Sequence, residues 1–255
     1  MEMTLDKSVF TTALNAVEMK GKWFSSTGLT SDKLSEFVKI VWKRDEPKRG
    51  YHFINANNQT FVDYWIPADV TIEHSAVLEI SKARNYLTNM PSGDITLSVG
   101  QCALFSCDNI NAQFPTHYNH PNDAACDSFF VASQNVSVGG EGIEWGEYPI
   151  TSGFSILAED FSKILKSCES VGHGIYKLEL CNESVTISSV SSPRESYREN
   201  VVPLLAWGED ATVEYTSPVH KIFPNGFLQC HFNDDSLLVL QNQNLLVARA
   251  PYVVV

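Results

Sequence analysis

Val77–Cys107 reads VLEISKARNYLTNMPSGDITLSVGQCALFSC, and Ser155–Val190 reads SILAEDFSKILKSCESVGHGIYKLELCNESVTISSV. Both begin extended and apolar, pass into a helix, cross a glycine-bearing turn, and finish as two strands about a short polar turn. In the first stretch Ile80, Ala83, Leu87 and Met90 recur at helical spacing and predict a buried stripe; Lys82, Asn85 and Asn89 face outward, with Arg84 on the flank. In the second, Leu157, Phe161, Ile164, Leu165, Cys168 and Val171 form the stripe, and Lys163, Lys166 and Ser167 point the other way. The hairpins are Ile95–Val99 with Ala103–Cys107 around Gly100-Gln101, and Ile175–Leu180 with Val185–Val190 around Asn182-Glu183. Period-two alternation about short polar turns predicts paired strands. A unit of this kind that occurs twice is an internal repeat, and a repeat sets the architecture.

Two weaker copies flank these. Ser31 is placed to cap a helix running to about Lys43, with Leu34, Phe37, Val38, Val41 and Trp42 inward and Lys33, Lys39 and Lys43 on the open side. Strand-like segments follow at Tyr51–Asn55 and Thr60–Ile66. Near the end, Thr212–Thr216 reads as a strand and Ser217–Phe223 as a short helix; three strands follow near Phe227–Phe232, Ser236–Leu240 and Leu245–Ala250. Phe10, Ala13, Leu14 and Val17 mark another candidate helix within residues 1–20, possible as the first helix of the first domain. The chain therefore divides into four β-α-β-β units, two per half. Val138–Tyr148, VGGEGIEWGEY, has linker composition. The expected domains are residues 1–137 and 149–255, joined by residues 138–148.

The 255 residues are 44% hydrophobic and 19% charged, a composition that supports a buried core. No apolar run approaches the roughly 20 residues that cross a bilayer, and Met1–Lys7 lacks the basic start and apolar stretch of a signal peptide. The expectation is a cytoplasmic protein with no membrane contact. The six cysteines form no C-x-x-C pair and read as reduced core thiols, and the sequons at Asn58, Asn135 and Asn182 carry no meaning in that compartment. A net charge of −12 excludes a protein that coats nucleic acid with its whole surface. It leaves room for one that concentrates its 18 Lys and Arg on one surface.

Ser152–Val171 followed by Ile175–Leu180 resembles the start of the second domain of clamps of the proliferating-cell-nuclear-antigen type. LLVARAPYV, from Leu245 to Val253, is similar to that family's last strand and its Ala-Pro turn, here Ala250 and Pro251. Leu78–Pro115, ending in Ala112-Gln113-Phe114-Pro115, resembles a domain of bacterial-type clamps. The resemblance covers about two thirds of the chain; the first 70 residues and Thr116–Ala125 match poorly. It implies an α+β DNA clamp fold: two similar domains of β-α-β-β repeats, antiparallel sheets outside and helices lining the inner face. It further implies a homotrimeric ring of six such domains, strands pairing across subunits, and a DNA sliding clamp that tethers the polymerase and does no chemistry itself.

A hole through which duplex DNA slides must attract phosphates without gripping bases. By resemblance Lys82, Arg84, Lys163, Lys166 and Lys221 fall where the family places pore-lining cations, and the helix expected over residues 31–43 adds Lys39 and Lys43. The implied partners are double-stranded DNA, bound non-specifically through its backbone, and a polymerase and clamp loader bound by short peptide motifs. Ile143 and Trp145 in the linker, with Ala250, Pro251 and Tyr252 near the end, supply the apolar docking surface; Trp145 reads equally well as an anchor for the linker. The implied place of work is the nucleoid or a viral replication site. Two other readings stand beside this one: a clamp-fold polymerase accessory or transcription coactivator without a closed ring, and an unrelated repeat-built viral structural or interaction protein. The sequence holds no G-x-x-x-x-G-K-S/T loop and no G-x-S-x-G elbow, so no enzyme is expected. His117, His120, Asp123 and Cys126 match no established zinc spacing and read as a polar loop, so no metal or cofactor is expected.

Overall fold

A computed structural model describes residues 1–19, 36–57, 59–137, 139–171, 175–192, 195–216, 223 and 225–252. Two compact units emerge, the first reaching Phe130 and the second running from Val131. The helix expected over Ser217–Phe223 and the cations Lys33 and Lys221 fall outside the described residues, Phe223 excepted.

The first unit opens with β1 (Glu2–Asp6) and α1 (Lys7–Val17). Asp6 caps α1, its carboxylate accepting from Ser8 N at 2.8 Å, which satisfies one of the helix's orphan donors. There follow β2 (Phe37–Lys43), β3 (Gly50–Ala56), β4 (Thr60–Pro67), β5 (His74–Glu79), α2 (Ile80–Thr88), β6 (Asp94–Val99), β7 (Cys102–Cys107), β8 (Ile110–Pro115) and α3 (Asp123–Ser133). Two antiparallel sheets result, ordered β1-β6-β7-β8 and β5-β2-β3-β4. Phe10 on α1 meets Phe53 of β3 edge-on at 5.4 Å and Phe105 of β7 at 5.2 Å, so one ring ties the helix to both sheets. Ile80, Ala83, Leu87 and Met90 are buried, as their spacing predicts.

Residues 37–43 form a strand and not a helix, which corrects the expectation for this segment. The sheet β5-β2-β3-β4 is covered on both faces. Phe53 and Asn55 face α1, where Asn55 Nδ2 donates to Val17 O. Lys39, His52 and Asp63 face the side covered by α3, whose Phe129 and Phe130 rings meet Phe61 and His52. A strand buried on both faces reads as a near-continuous apolar run, and FVKIVW satisfies a helical stripe equally well. The helix of this repeat is α1, so the first copy begins at Glu2.

The second unit contains β9 (Ile143–Trp145), β10 (Tyr148–Ile150), β11 (Ser152–Leu157), α4 (Ala158–Ser170), β12 (Ile175–Cys181), β13 (Ser184–Ser192), β14 (Glu195–Val201), β15 (Leu205–Trp207), β16 (Ala211–Thr216), β17 (Phe227–Phe232), β18 (Leu238–Gln241) and β19 (Leu245–Arg249). One sheet runs β14-β13-β12-β16 and another β15-β11-β17-β18-β19, with β9 and β10 as a separate hairpin. Phe161, Leu165 and Cys168 of α4 are fully buried, and Tyr176 stacks on Tyr215 beneath them at 5.6 Å. Gly153 is required by close approach: a Cβ there would sit 2.2 Å from Cys230 O and 2.9 Å from the Trp207 ring.

Candidate nucleic-acid interface

Each described repeat helix buries one stripe and leaves a polar face outward. On α1 that face is Ser8, Thr12 and Asn15, all exposed and uncharged. On α2 it is Ser81, Lys82, Asn85, Thr88 and Asn89. On α4 it is Glu159, Asp160, Lys163, Lys166 and Ser170. Acidic residues in the first turn of α4 complement the positive end of its dipole.

The expected cations fare differently. Lys82 is exposed but pairs with Glu79 at 2.7 Å, one turn back. Arg84 is fastened to the carboxylate of Glu18 through both terminal nitrogens. Lys163 and Lys166 are exposed, and neither has a carboxylate within ion-pair distance among the described residues. Lys39 and Lys43 are not on a helix at all. Lys39 is only 6% exposed, with its ammonium 2.6 Å from Asp123 and 2.7 Å from Asp127. Burial pulls its pKa down, and the two carboxylates more than reverse that, leaving it raised. Lys43 turns back onto the carbonyls of Asp45 and Pro47, and burial lowers its pKa. Neither stands on the open face of a helix.

The remaining described cations are also engaged. Lys7 donates to Thr88 O at 3.3 Å and to Met90 O, neutralising the carbonyl end of α2. Arg44 pairs with Asp45, Arg49 with Asp69, and Lys177 and Arg198 with Glu179. Arg249 is buried and donates to Thr216 O at 2.7 Å. Lys48 is half-buried, its pKa lowered by desolvation.

The stretch with linker composition is partly structured. Ile143 and Trp145 lie in β9 and are buried, so their side chains do not form an open apolar surface. Gln241 Nε2 donates to Ser137 O at 2.9 Å, and Gly139 N donates to Gln229 Oε1 at 2.9 Å, laying this backbone across β17 and β18. Gln241 also donates to Nε2 of His231, which is fully buried beside Trp207 and whose pKa burial pushes down to about 4. Ala250 and Pro251 are half-buried; Tyr252 is exposed, and its amide donates to Glu214 O at 2.7 Å. Sequence reasoning missed α3 and the buried His52–Asp63 pair, whose Nδ1 lies 3.0 Å from each carboxylate oxygen.

Asp123 and Cys126 belong to α3 and not to a loop. His120 Nδ1 accepts from Asn122 N at 3.0 Å and lies 3.4 Å from the Cys126 sulfur, while Asp123 is taken by Lys39. Burial raises the Cys126 thiol to about 12. Among the described residues no cluster of three or more His, Cys, Asp or Glu is arranged to hold a metal ion.

Antiparallel sheets with helices packed against them, repeated along the chain, define the DNA clamp fold, and solved clamps superpose on this chain throughout its length. The DNA polymerase III beta subunit from Thermotoga maritima matches with a TM-score of 0.72 at 14% identity, over 100% of this chain and 66% of that one. The DNA polymerase sliding clamp from Pseudomonas aeruginosa matches at 0.72 and 9% identity, over 100% and 67%. The A. fulgidus PCNA, solved with the C-terminal region of FEN-1 bound, matches at 0.69 and 12% identity, over 100% of this chain and 99% of that one. The chain thus spans about two thirds of the beta subunits and nearly all of the PCNA subunit. No family model matches the sequence, and no curated protein does. Among the described residues no helix is long and apolar enough to cross a membrane.

Proposed function

We propose that this chain is a DNA sliding clamp, a processivity factor that encircles duplex DNA and tethers a polymerase and other DNA-processing proteins without catalysing a reaction. The observation that carries this reading is the match of the whole chain to a PCNA subunit over 99% of that subunit's length. The proposed domains are residues 1–137 and 149–255 with residues 138–148 between them, and three copies complete a ring. Of the strands at sheet edges, β8, with Ile110, Asn111 and Gln113 exposed, and β14, with Ser196, Arg198 and Asn200 exposed, suit pairing across subunits. Open edges of this kind are aggregation hazards unless they are paired.

The DNA-facing surface is assigned to the open faces of the repeat helices, with Lys163 and Lys166 foremost, Lys82, Arg84 and Lys221 beside them. Partner peptides are assigned to the segment around Ile143 and Trp145 with Ala250, Pro251 and Tyr252. Tyr252 supplies exposed ring surface there, and Trp145 fixes the backbone. Work at a nucleoid or viral replication site follows from the same reading.

Solution mass by size-exclusion chromatography with light scattering, followed by retention on circular nicked duplex before and after linearisation, tests it. A three-chain mass and loss of retention on linearisation are expected. A stable monomer that never becomes trapped on circular DNA overturns the ring.

A further inference from the structure

Five of the twelve large apolar side chains exposed among the described residues gather at one corner of the second unit: Leu157, Val202, Leu204, Leu205 and Phe227. Strand register puts them together. Ser155 on β11 stands opposite Leu205 of β15 on one side and Gln229 of β17 on the other. Leu157, two residues on and so on the same face, stands opposite Phe227. Phe154 and Ile156 take the other face and are buried. Val202 and Leu204 extend the patch along the approach to β15, where Leu204 N donates to Ser155 O at 2.8 Å. The row beyond is closed, because Gly139 N and Gly140 O are bonded to the Gln229 side chain; Phe227 is left 69% exposed. Leu238 of β18 stands opposite Arg249 of β19, so Ala250–Tyr252 lie at the other end of this sheet, away from Phe227. The patch is therefore separate from the docking segment assigned above.

Its charge pattern is one-sided. β11, β15, β17 and residues 202–204 contain no Lys, Arg, Asp or Glu. Exposed carboxylates follow at the margins: Glu159 and Asp160 just past Leu157, Glu141 just past Gly140, and Glu209 just past β15. From Leu157 the nearest cation along the chain, Lys163, stands one turn beyond Glu159. β15 also ends the sheet order, with no strand on its outer side among the described residues.

We propose that this corner is a second docking surface, and that it takes an extended segment of a partner protein, bulky and apolar at alternate positions between basic flanks, added as a strand outside β15. A contiguous apolar patch with a polar margin marks an interaction site. A strand laid against β15 pairs its backbone with the open edge and turns alternate side chains onto the face of Leu205, Leu157 and Phe227. Its flanks then reach Glu159 and Asp160 at one end and Glu209 at the other. A second copy of this chain fits less well, since its own carboxylate margin and net charge of −12 oppose the approach. The proposal does not depend on the clamp reading.

The test is fluorescence titration of the full-length protein with a labelled peptide that alternates valine and threonine between lysine pairs, beside a counterpart flanked by glutamates. The lysine-flanked peptide is expected to bind saturably, about tenfold or more tightly than the glutamate-flanked one. L205S/F227S is expected to lose about tenfold or more in affinity, and E159Q/D160Q to lose affinity and salt dependence together. Circular dichroism establishes that the variants keep the wild-type fold, and hydrogen exchange is expected to show protection of Leu205–Trp207 by bound peptide. No binding by the wild type, equal binding of the two peptides, undiminished binding by L205S/F227S, or protection at Tyr252 in place of β15 overturns the proposal. Concentration-dependent self-association that L205S/F227S abolishes assigns the patch to a second copy and overturns it equally.

Discussion

The ammonium of Lys39 on β2 lies 2.6 Å from the carboxylate of Asp123 at the start of α3, and Asp127 one turn on takes the same ammonium at 2.7 Å. One cation therefore bolts α3 to the sheet. The same environment encloses the ammonium and offsets its charge. Lys39→Ala strips a buried partner from two carboxylates that are themselves partly exposed, so the cost falls below that of orphaning a fully buried ion. Destabilisation of about 1–3 kcal/mol is expected, read by urea unfolding, with duplex binding unchanged. A variant of wild-type stability with weakened DNA binding would return Lys39 to the interface.

Gly153 tests the packing of the second unit. The Cβ of Gly153→Ala would meet Cys230 O at 2.2 Å, a backbone atom fixed in the β11–β17 ladder. The strands must separate or bend, and overpacking of this kind costs about 1–3 kcal/mol or more. Thermal unfolding is expected to show a lower midpoint for G153A. An unchanged midpoint would mean the strands are further apart than described.

His231 makes stability depend on pH with a definite sign. Its folded pKa of about 4 lies below the ordinary 6.5 because burial disfavours the imidazolium. Between those values the unfolded chain binds the proton and the folded chain does not. The contribution is therefore constant above about pH 6.5 and is lost progressively as pH falls toward 4, by about 2–4 kcal/mol in all. His231→Gln is expected to flatten that part of the stability profile relative to wild type. Parallel profiles for the two proteins would refute it.

Gln241 holds the segment before β9 in place through Ser137 O. Gln241→Ala is expected to raise amide exchange at Ile143 and Trp145 while α4 keeps its protection, since removing the side chain frees a loop and not a core. Hydrogen exchange resolved by peptide reads both segments in one experiment. Equal exchange at Ile143 in both proteins would show that the hairpin with β10 suffices.

The order of β5, α2, β6 and β7, and of β11, α4, β12 and β13, was legible in the sequence because each of these helices and hairpins buries one face only. Ile80, Ala83 and Leu87 announce period 3.6, and Leu178 and Leu180 announce period two, without reference to anything distant. The first repeat was misread where that condition fails: Val38, Ile40 and Trp42 are covered by one layer and Lys39 by another, so the segment has no polar face to set its period.

The sequence by itself determined the helix stripes, the hairpins, the duplication and the placing of Lys163 and Lys166 on an open helical face, since these depend on spacing along a few turns. Which cations remain available was decided only by tertiary structure. Lys39 meets Asp123 across 84 positions, and Arg84 meets Glu18 across 66. Pairing of that kind depends on where strands and helices bring distant residues together, and charge counted along a chain carries no record of it.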